Sequence, residues 1–268
     1  MTTVIKIGGS VLEPEPSADL ARALARRALA GERLCLVHGG GKALTAMLSR
    51  LGIASSFHRG LRVTDQPTLE AAVMVLAGAV NTRLVAALNR ALAQEPRAAA
   101  GPRAVGLSGV DGGCLRACAG APELGFVGEM TGGEPRLLET LLASGFIPVL
   151  ASLAAAADGS PLNVNADAFA AACAVQLRAD RLLFLTDVPG VRDGAGRIIA
   201  ELDLEELETL SAGGAVSGGM LPKLASCRAA LAGGVGEIAI AGAREWITGG
   251  APAGTRLRNP CATAEVPR

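Results

Sequence analysis

Aromatic residues are nearly missing from this chain of 268 residues: it has five Phe, one Trp and no Tyr. A surface that stacks nucleic-acid bases needs such rings, so their scarcity argues against a single-strand platform. An excess of either charge is missing too. Lys plus Arg number 25 and Asp plus Glu number 25, so the formal net charge is zero. No long-range field draws the chain to nucleic acid or an anionic membrane, although a local basic pocket for a small anion stays open. The six cysteines (Cys35, Cys114, Cys118, Cys173, Cys227 and Cys261) form no CxxC, and with only His38 and His58 beside them no zinc set emerges. Most of them read as small core residues kept reduced. The N-terminus, MTTVIKIGGS, has no charged region followed by a long apolar one, so it does not read as a secretory signal. No uninterrupted apolar stretch is long enough to span a bilayer. The expectation is a cytoplasmic protein with neither nucleic acid nor membrane as partner.

What is present is an alternation. Residues 3–7 form a β-rich run that ends in Gly8-Gly9-Ser10. A helical pattern starts at Ala18 behind Ser17 as N-cap and stops at Gly31, with Leu20, Leu24 and Leu29 as its apolar stripe. A second apolar strand, residues 34–37, ends in His38-Gly39-Gly40-Gly41, and another helix follows before Gly52. Strand, glycine turn and helix, repeated, predict a mostly parallel sheet with helices on its faces. Further on, residues 68–93 read as one long helix or two abutting ones. Residues 104–107, 146–150, 181–186 and 237–241 read as strands, and 137–143, 167–177, 204–210 and 221–232 as helices. Residues 116–130 suggest a small hairpin over a pocket, and the turn at 193–196 punctuates another. With no Pro- or Ser-rich linker, the reading is one continuous sheet, with a lobe boundary near 154–161. That makes a single domain over 1–268, with lobes at 1–155 and 156–268.

The two glycine turns carry the first chemical hint. Each follows a strand and precedes a helix, so in a parallel sheet both open on the edge where ligands bind. Glycine lets backbone approach a phosphate closely, and the following helix offers free N–H groups. Lys6 sits just before the first turn, within reach of such phosphates. Either turn alone is equally well a plain tight turn; two opening on one edge favour the anion site. A P-loop is excluded because Gly41-Lys42 is followed by Ala43 instead of Ser or Thr, and no GxGxxG follows the first strand.

Five motifs occur in order: Lys6-Ile7-Gly8-Gly9-Ser10, His38-Gly39-Gly40-Gly41, Gly60-Leu61-Arg62-Val63-Thr64, Asn163-Val164-Asn165-Ala166-Asp167 and Gly219-Met220-Leu221-Pro222-Lys223. Each is weak alone. As an ordered set, spread over nearly the whole chain, they resemble the amino acid kinase family, and within it the acetylglutamate kinases of arginine biosynthesis. The resemblance implies a three-layer αβα sandwich around a mostly parallel open sheet, with an acyl-acceptor and dimerisation lobe first and a nucleotide lobe second. It implies ATP and Mg²⁺, with N-acetyl-L-glutamate phosphorylated on its γ-carboxylate. By the same resemblance Lys6 and Lys223 neutralise the moving phosphoryl group, and Asp167 holds both lysines. Gly9 and Gly40 donate N–H groups to it. Gly39, Gly40, Arg62, Asn163 and Asn165 contact the acceptor. Lys6, Gly8, Thr186, Asp187, Gly190, Met220 and Lys223 line the nucleotide.

The chemistry fits without the resemblance. A carboxylate acceptor is already ionised at neutral pH, so no strong base is needed. Anion repulsion has to be cancelled and the reactants held in line, which lysines and backbone N–H groups do. An arginine fork suits a substrate carboxylate. Read singly, Arg62 is equally a surface ion-pair residue, Lys223 a solvated helix lysine and Asp167 a carboxylate favoured at a helix start. His38 and His58 read as structural or solvent-facing. Mg²⁺ is expected to arrive with ATP, held by phosphates and water, with no protein metal site.

Two positions depart from the family pattern: Lys42 after the glycine triplet, and the glycine-free Ala151-Ser152-Leu153-Ala154. Only three residues precede Val4, which leads to the expectation of a homodimer without strong arginine feedback. The rival readings are a kinase for aminoadipate or glutamate displayed on a carrier protein, a non-catalytic sensor, and a nucleoside monophosphate kinase. The sensor should have lost Lys6, Asp167 or Lys223. The nucleoside monophosphate kinase should show base-recognition features and basic residues in place of the 60–64 stretch.

Overall fold

The computed structural model describes residues 1–12, 15–95, 101–212, 220–249 and 254–258; Gly219 of the fifth motif and Cys261 lie outside them. The chain begins β1 (Thr2–Ile7), α1 (Gly9–Leu12), α2 (Ala18–Leu29), β2 (Arg33–His38), α3 (Gly41–Arg50), β3 (Phe57–His58) and β4 (Leu61–Arg62). One continuous helix follows, made of α4 (Gln66–Ala72), a π-helical stretch (Val73–Val80) and α5 (Asn81–Ala93). Next come β5 (Arg103–Ser108), β6 (Arg116–Ala119), β7 (Gly128–Gly132), α6 (Arg136–Ala143), β8 (Phe146–Ala151), β9 (Leu153–Ala155) and β10 (Pro161–Asn163). The rest is α7 (Ala166–Gln176), β11 (Arg181–Thr186), β12 (Glu201–Leu202), α8 (Leu204–Ala212), α9 (Met220–Ala232), β13 (Glu237–Gly242), α10 (Ala243–Ile247) and β14 (Gly254–Arg258).

Eight strands form one sheet in the order β12-β14-β13-β11-β1-β2-β8-β5. Every pairing in it is parallel except β13 with β14. Parallel strands are covered on both faces and so read as near-continuous apolar runs, as VIKI, LCLV and LLFL do here. Side chains alternate between two cores. Val4, Cys35, Val37, Leu150 and Phe184 face one, under α6, α7 and α9. Ile5, Ile7, Leu36, Val149 and Leu185 face the other, under α2, α3 and the long helix. The result is the expected three-layer sandwich, and the sheet runs unbroken through both proposed lobes. In α2 the Ser17 hydroxyl accepts the Leu20 amide at 3.1 Å, as expected of an N-cap. Leu29, expected in its stripe, is only partly buried, and Ala28 takes that place in the core.

The hairpin at 116–130 forms as antiparallel β6 and β7, and β9 and β10 extend it to a four-stranded sheet. Strands β12 and β14 were not legible in the sequence. One expectation needs correction. No uninterrupted apolar run is long, but the helix Gln66–Ala93 contains an 18-residue window of mean hydropathy 1.8 and is long and apolar enough to cross a membrane. Burial accounts for part of this composition: 44% of the window is buried, Leu69, Ala72, Leu76, Val80, Leu84 and Leu88 lie in the core, and the helix packs on α2, β5 and β8.

Candidate active site

The register places the site. Ile7 pairs with His38 on one side and Leu185 on the other, so β1, β2 and β11 end side by side. Gly8-Gly9, Gly39–Gly41 and Thr186-Asp187 therefore share one edge. Lys6 alternates with Ile5 and Ile7 and shares the face of Val4, the face covered by α7 and α9. Asp167 is in the first turn of α7 and Lys223 in the first turn of α9, both above that face.

These three residues, far apart in sequence, meet. Lys6 Nζ lies 2.8 Å from Asp167 Oδ1, and Lys223 Nζ lies 2.8 Å from Oδ2. The Lys223 contact is an aligned hydrogen bond; the Lys6 contact is an ion pair that leaves Oδ1 without an aligned donor. Lys223 also lies over the Phe184 ring, 4.9 Å from its centroid. Burial works against the charged form of Lys6 and, with Lys223 beside it, outweighs the pull of Asp167, so its pKa falls below the ordinary lysine value. Burial also opposes the Asp167 carboxylate, but the two ammoniums prevail and hold its pKa below the usual range. Two buried ammoniums share one buried carboxylate, with only the exposed Asp187 acting on Lys6 from outside, so the nearly dry cluster itself carries one surplus positive charge. An incoming anion relieves that imbalance, which is what a phosphoryl-binding centre needs.

Asn165 caps α7: its Oδ1 accepts the amides of Asp167 at 2.9 Å and Ala168 at 3.2 Å. That fixes the turn carrying Asp167. Asn163 donates to Thr64 Oγ1 at 3.1 Å and so ties the Asn163–Asp167 motif to the Gly60–Thr64 motif. Arg62 is buried and folded onto the start of α3. It donates to Ser55 Oγ, to Thr45 Oγ1 at 2.7 Å and to Gly41 O at 3.1 Å, and it stacks on Phe57. The arginine thus lies beside the second glycine turn, without direct contact to Asn163.

The glycines have separate reasons. A Cβ on Gly8 would stand 3.1 Å from the Leu185 carbonyl oxygen, whose acceptor bond with the Gly8 amide is 2.8 Å. A Cβ on Gly40 would stand 2.8 Å from Leu76 Cδ2 and 3.2 Å from Val80 Cγ2. Among the described residues, the amides of Gly9 and Gly40 meet no protein acceptor. Across the edge, Thr186 donates to Asp187 Oδ1 at 3.0 Å. Partial burial opposes the Asp187 carboxylate, but bonds from Thr186 and Ser10 and the Lys42 charge leave its pKa lowered. Gly190 packs tightly on Thr255, and Met220 opens α9 against the core. A groove of about 530 Å³ runs along α7 and α9, lined by Leu61, Met130, Asn165, Gln176, Pro222 and Ser226.

Residues 1–242 match the sequence pattern of the amino acid kinase family. The chain belongs to that family. It is 48% identical to an acetylglutamate kinase of Acidobacterium capsulatum over 243 residues, covering 90% of each chain. It is 43% identical to an acetylglutamate kinase of Solibacter usitatus over 263 residues, covering 96% of this chain and 99% of that one. A solved structure from Streptococcus mutans shares the fold with a TM-score of 0.81 at 28% identity, over 96% of this chain and 98% of that one.

Sequence reasoning missed one part of this amino acid kinase's edge. His38 is fully buried, and Asn81, a buried polar residue of the long helix, is bonded to it at 3.0 Å. Asn81 ends the apolar run from Ala71 to Val80, and an amide at that boundary was the available signal. His58, by contrast, is partly exposed, 3.9 Å from Glu123.

Proposed function

We propose that this amino acid kinase transfers the γ-phosphoryl group of ATP to the side-chain carboxylate of N-acetyl-L-glutamate, making an acyl phosphate for arginine biosynthesis. The observation that carries the reading is the buried Lys6–Asp167–Lys223 set, with its surplus positive charge, at the edge where two glycine turns open. Identity of 48% and 43% to acetylglutamate kinases supports the acceptor.

The acceptor carboxylate is ionised at neutral pH and attacks the γ-phosphorus as it stands; the P–O bond to ADP breaks and ADP leaves with its electron pair. The protein has no proton to remove. Lys6 and Lys223 hold charge that builds on the moving phosphoryl oxygens, and Asp167 keeps the two ammoniums from separating. The amides of Gly9 and Gly40 donate to the same group. Arg62 and Asn163 hold the acceptor with Asn165 and Gly39; Arg62 exchanges its bonds to Ser55 and Thr45 for the substrate carboxylate. Gly8, Thr186, Asp187, Gly190 and Met220 border the nucleotide. Among the described residues no cluster of three His, Cys, Asp or Glu can hold a metal. Asp167 is taken up by the two lysines and Asp187 stands on the same edge, so Mg²⁺ fits as an ion carried by ATP oxygens and water, lowering phosphate charge. The working unit is a cytoplasmic homodimer.

Incubation with ATP, Mg²⁺ and hydroxylamine tests the acceptor. Hydroxamate is expected from N-acetyl-L-glutamate in preference to L-glutamate and L-aspartate. Hydroxamate only from L-aspartate moves the enzyme to another branch, and activity only on a carrier-linked acyl group selects that rival. Light scattering checks the dimer, and a hexamer contradicts it.

A further inference from the structure

His38 is fully buried and belongs to β2, with its side chain on the face opposite Lys6. Its surroundings fix its tautomer. The Asn81 amide nitrogen lies 2.8 Å from the Val149 carbonyl oxygen, so that end of the amide is the donor. The same nitrogen is 3.0 Å from His38 Nε2, which therefore accepts. The remaining ring proton is on Nδ1, which donates to the Gly39 carbonyl oxygen at 2.8 Å. Burial, set against that bond to Gly39, drops the imidazole pKa to about 4, so the ring is neutral at physiological pH.

The Gly39 carbonyl belongs to the peptide that also carries the Gly40 N–H. In a trans peptide the two point in opposite directions. A carbonyl held back toward His38 sends the Gly40 N–H forward, to the face of Lys6, Asp167 and Lys223. Three further features serve this arrangement. Asn81 follows directly on the π-helical stretch, whose Leu76 and Val80 abut Gly40. Gly106 leaves the room that Asn81 needs, since a Cβ there would stand 2.0 Å from Asn81 Oδ1. The amide bridges two strands, β2 by way of His38 and β8 by way of Val149.

We infer that His38, locked by Asn81, is a positioning residue for phosphoryl transfer: it sets the Gly39–Gly40 peptide so that the Gly40 N–H faces the moving phosphoryl group. The inference rests on the kinase reading above. It separates orientation of a donor from affinity for either substrate, because His38 touches neither.

The test is steady-state kinetics of His38→Leu and His38→Asn with ATP and N-acetyl-L-glutamate. His38→Leu removes the donor to Gly39 and is expected to lower kcat ~100-fold, with both KM values within about threefold. His38→Asn places an amide N–H close to the Nδ1 position and is expected to recover kcat to within about tenfold of wild type. A folded His38→Leu with wild-type kcat overturns the inference, and so does an equal loss in both variants, which is plain packing. If His38→Leu does not fold, Asn81→Ser frees the tautomer without touching the loop and should lower kcat ~10-fold; unchanged kcat again overturns it. A wild type that forms no acyl phosphate defeats the kinase reading separately. The loop is then read by the Gly40 amide resonance with ADP and tetrafluoroaluminate. A shift in wild type that is absent from His38→Leu supports the inference, and an identical shift in both contradicts it.

Discussion

The two glycine turns look alike in sequence and are built in opposite ways. The first, Gly8-Gly9, is held by backbone alone, through the 2.8 Å bond from Gly8 to Leu185, and stands beside three buried charges. The second, Gly39–Gly41, is held from the buried face by a neutral relay of His38 and Asn81 and by the side chains of Leu76 and Val80, with Arg62 reaching only its far end at the Gly41 carbonyl. Charge on one side and neutral hydrogen bonding on the other have different consequences. The charged side supplies field, which a single substitution removes. The neutral side supplies aim, which depends on pH and on packing behind the loop.

The sharpest break in this contrast is Lys223→Ala. It removes an ammonium from the charged side, and turnover is expected to fall ~10³-fold with folding retained. Stopped or coupled assays measure the first, and urea unfolding the second. Loss of folding without loss of turnover per folded molecule would reverse the assignment.

Acid separates the two sides next. His38 has its pKa depressed from 6.5 to about 4, so between those values the unfolded chain binds a proton the native one refuses. Stability from this group is full above pH 6.5 and lost as pH falls toward 4. The gap between those values corresponds to roughly 3 kcal/mol. Asp167, with its pKa held low by the two lysines, adds its slope only at the acid end, as pH falls into the ordinary carboxylate range and below it. Urea unfolding from pH 7 to pH 4.5 should show the slope in wild type and a flatter line in His38→Asn.

Smaller is Arg62→Ala. Its expected signature is a KM for the acceptor raised ~30-fold with kcat changed far less. Unchanged acceptor KM would remove Arg62 from the pocket. Smallest is Gly40→Ala, whose Cβ would meet the flexible ends of Leu76 and Val80. Overpacking there should cost about 1–2 kcal/mol in urea unfolding, with kcat lowered through the displaced loop.

Much of the site was legible because its charged residues stand where few others occur. Lys6 is the lone charge in an apolar strand, and glycine turns mark strand ends whatever the tertiary packing. Period-2 alternation then decides which face Lys6 takes, and α7 and α9 follow. The aim of the second loop was not legible. A histidine before a glycine turn gives no sign of its tautomer, which depends on Asn81 and Val149, 43 and 68 residues from each of their partners in the relay. Arg62 reads as a free fork, but in the structure it is occupied by Ser55, Thr45 and Gly41, because β4 lays it against α3. The composition of the long helix does not by itself tell a core helix from a spanning one, because burial against a sheet and burial in lipid select the same residues. Strands β12 and β14 were lost because a two-residue edge strand and the five-residue strand beside it carry too little period to stand out.

The most direct measurement follows ADP and hydroxamate together in wild type, with ATP, Mg²⁺, hydroxylamine and N-acetyl-L-glutamate. A carboxylate acceptor held at the Lys6–Asp167–Lys223 edge requires one hydroxamate for each ADP released. ADP without hydroxamate, or hydroxamate only from another acceptor, would contradict the account.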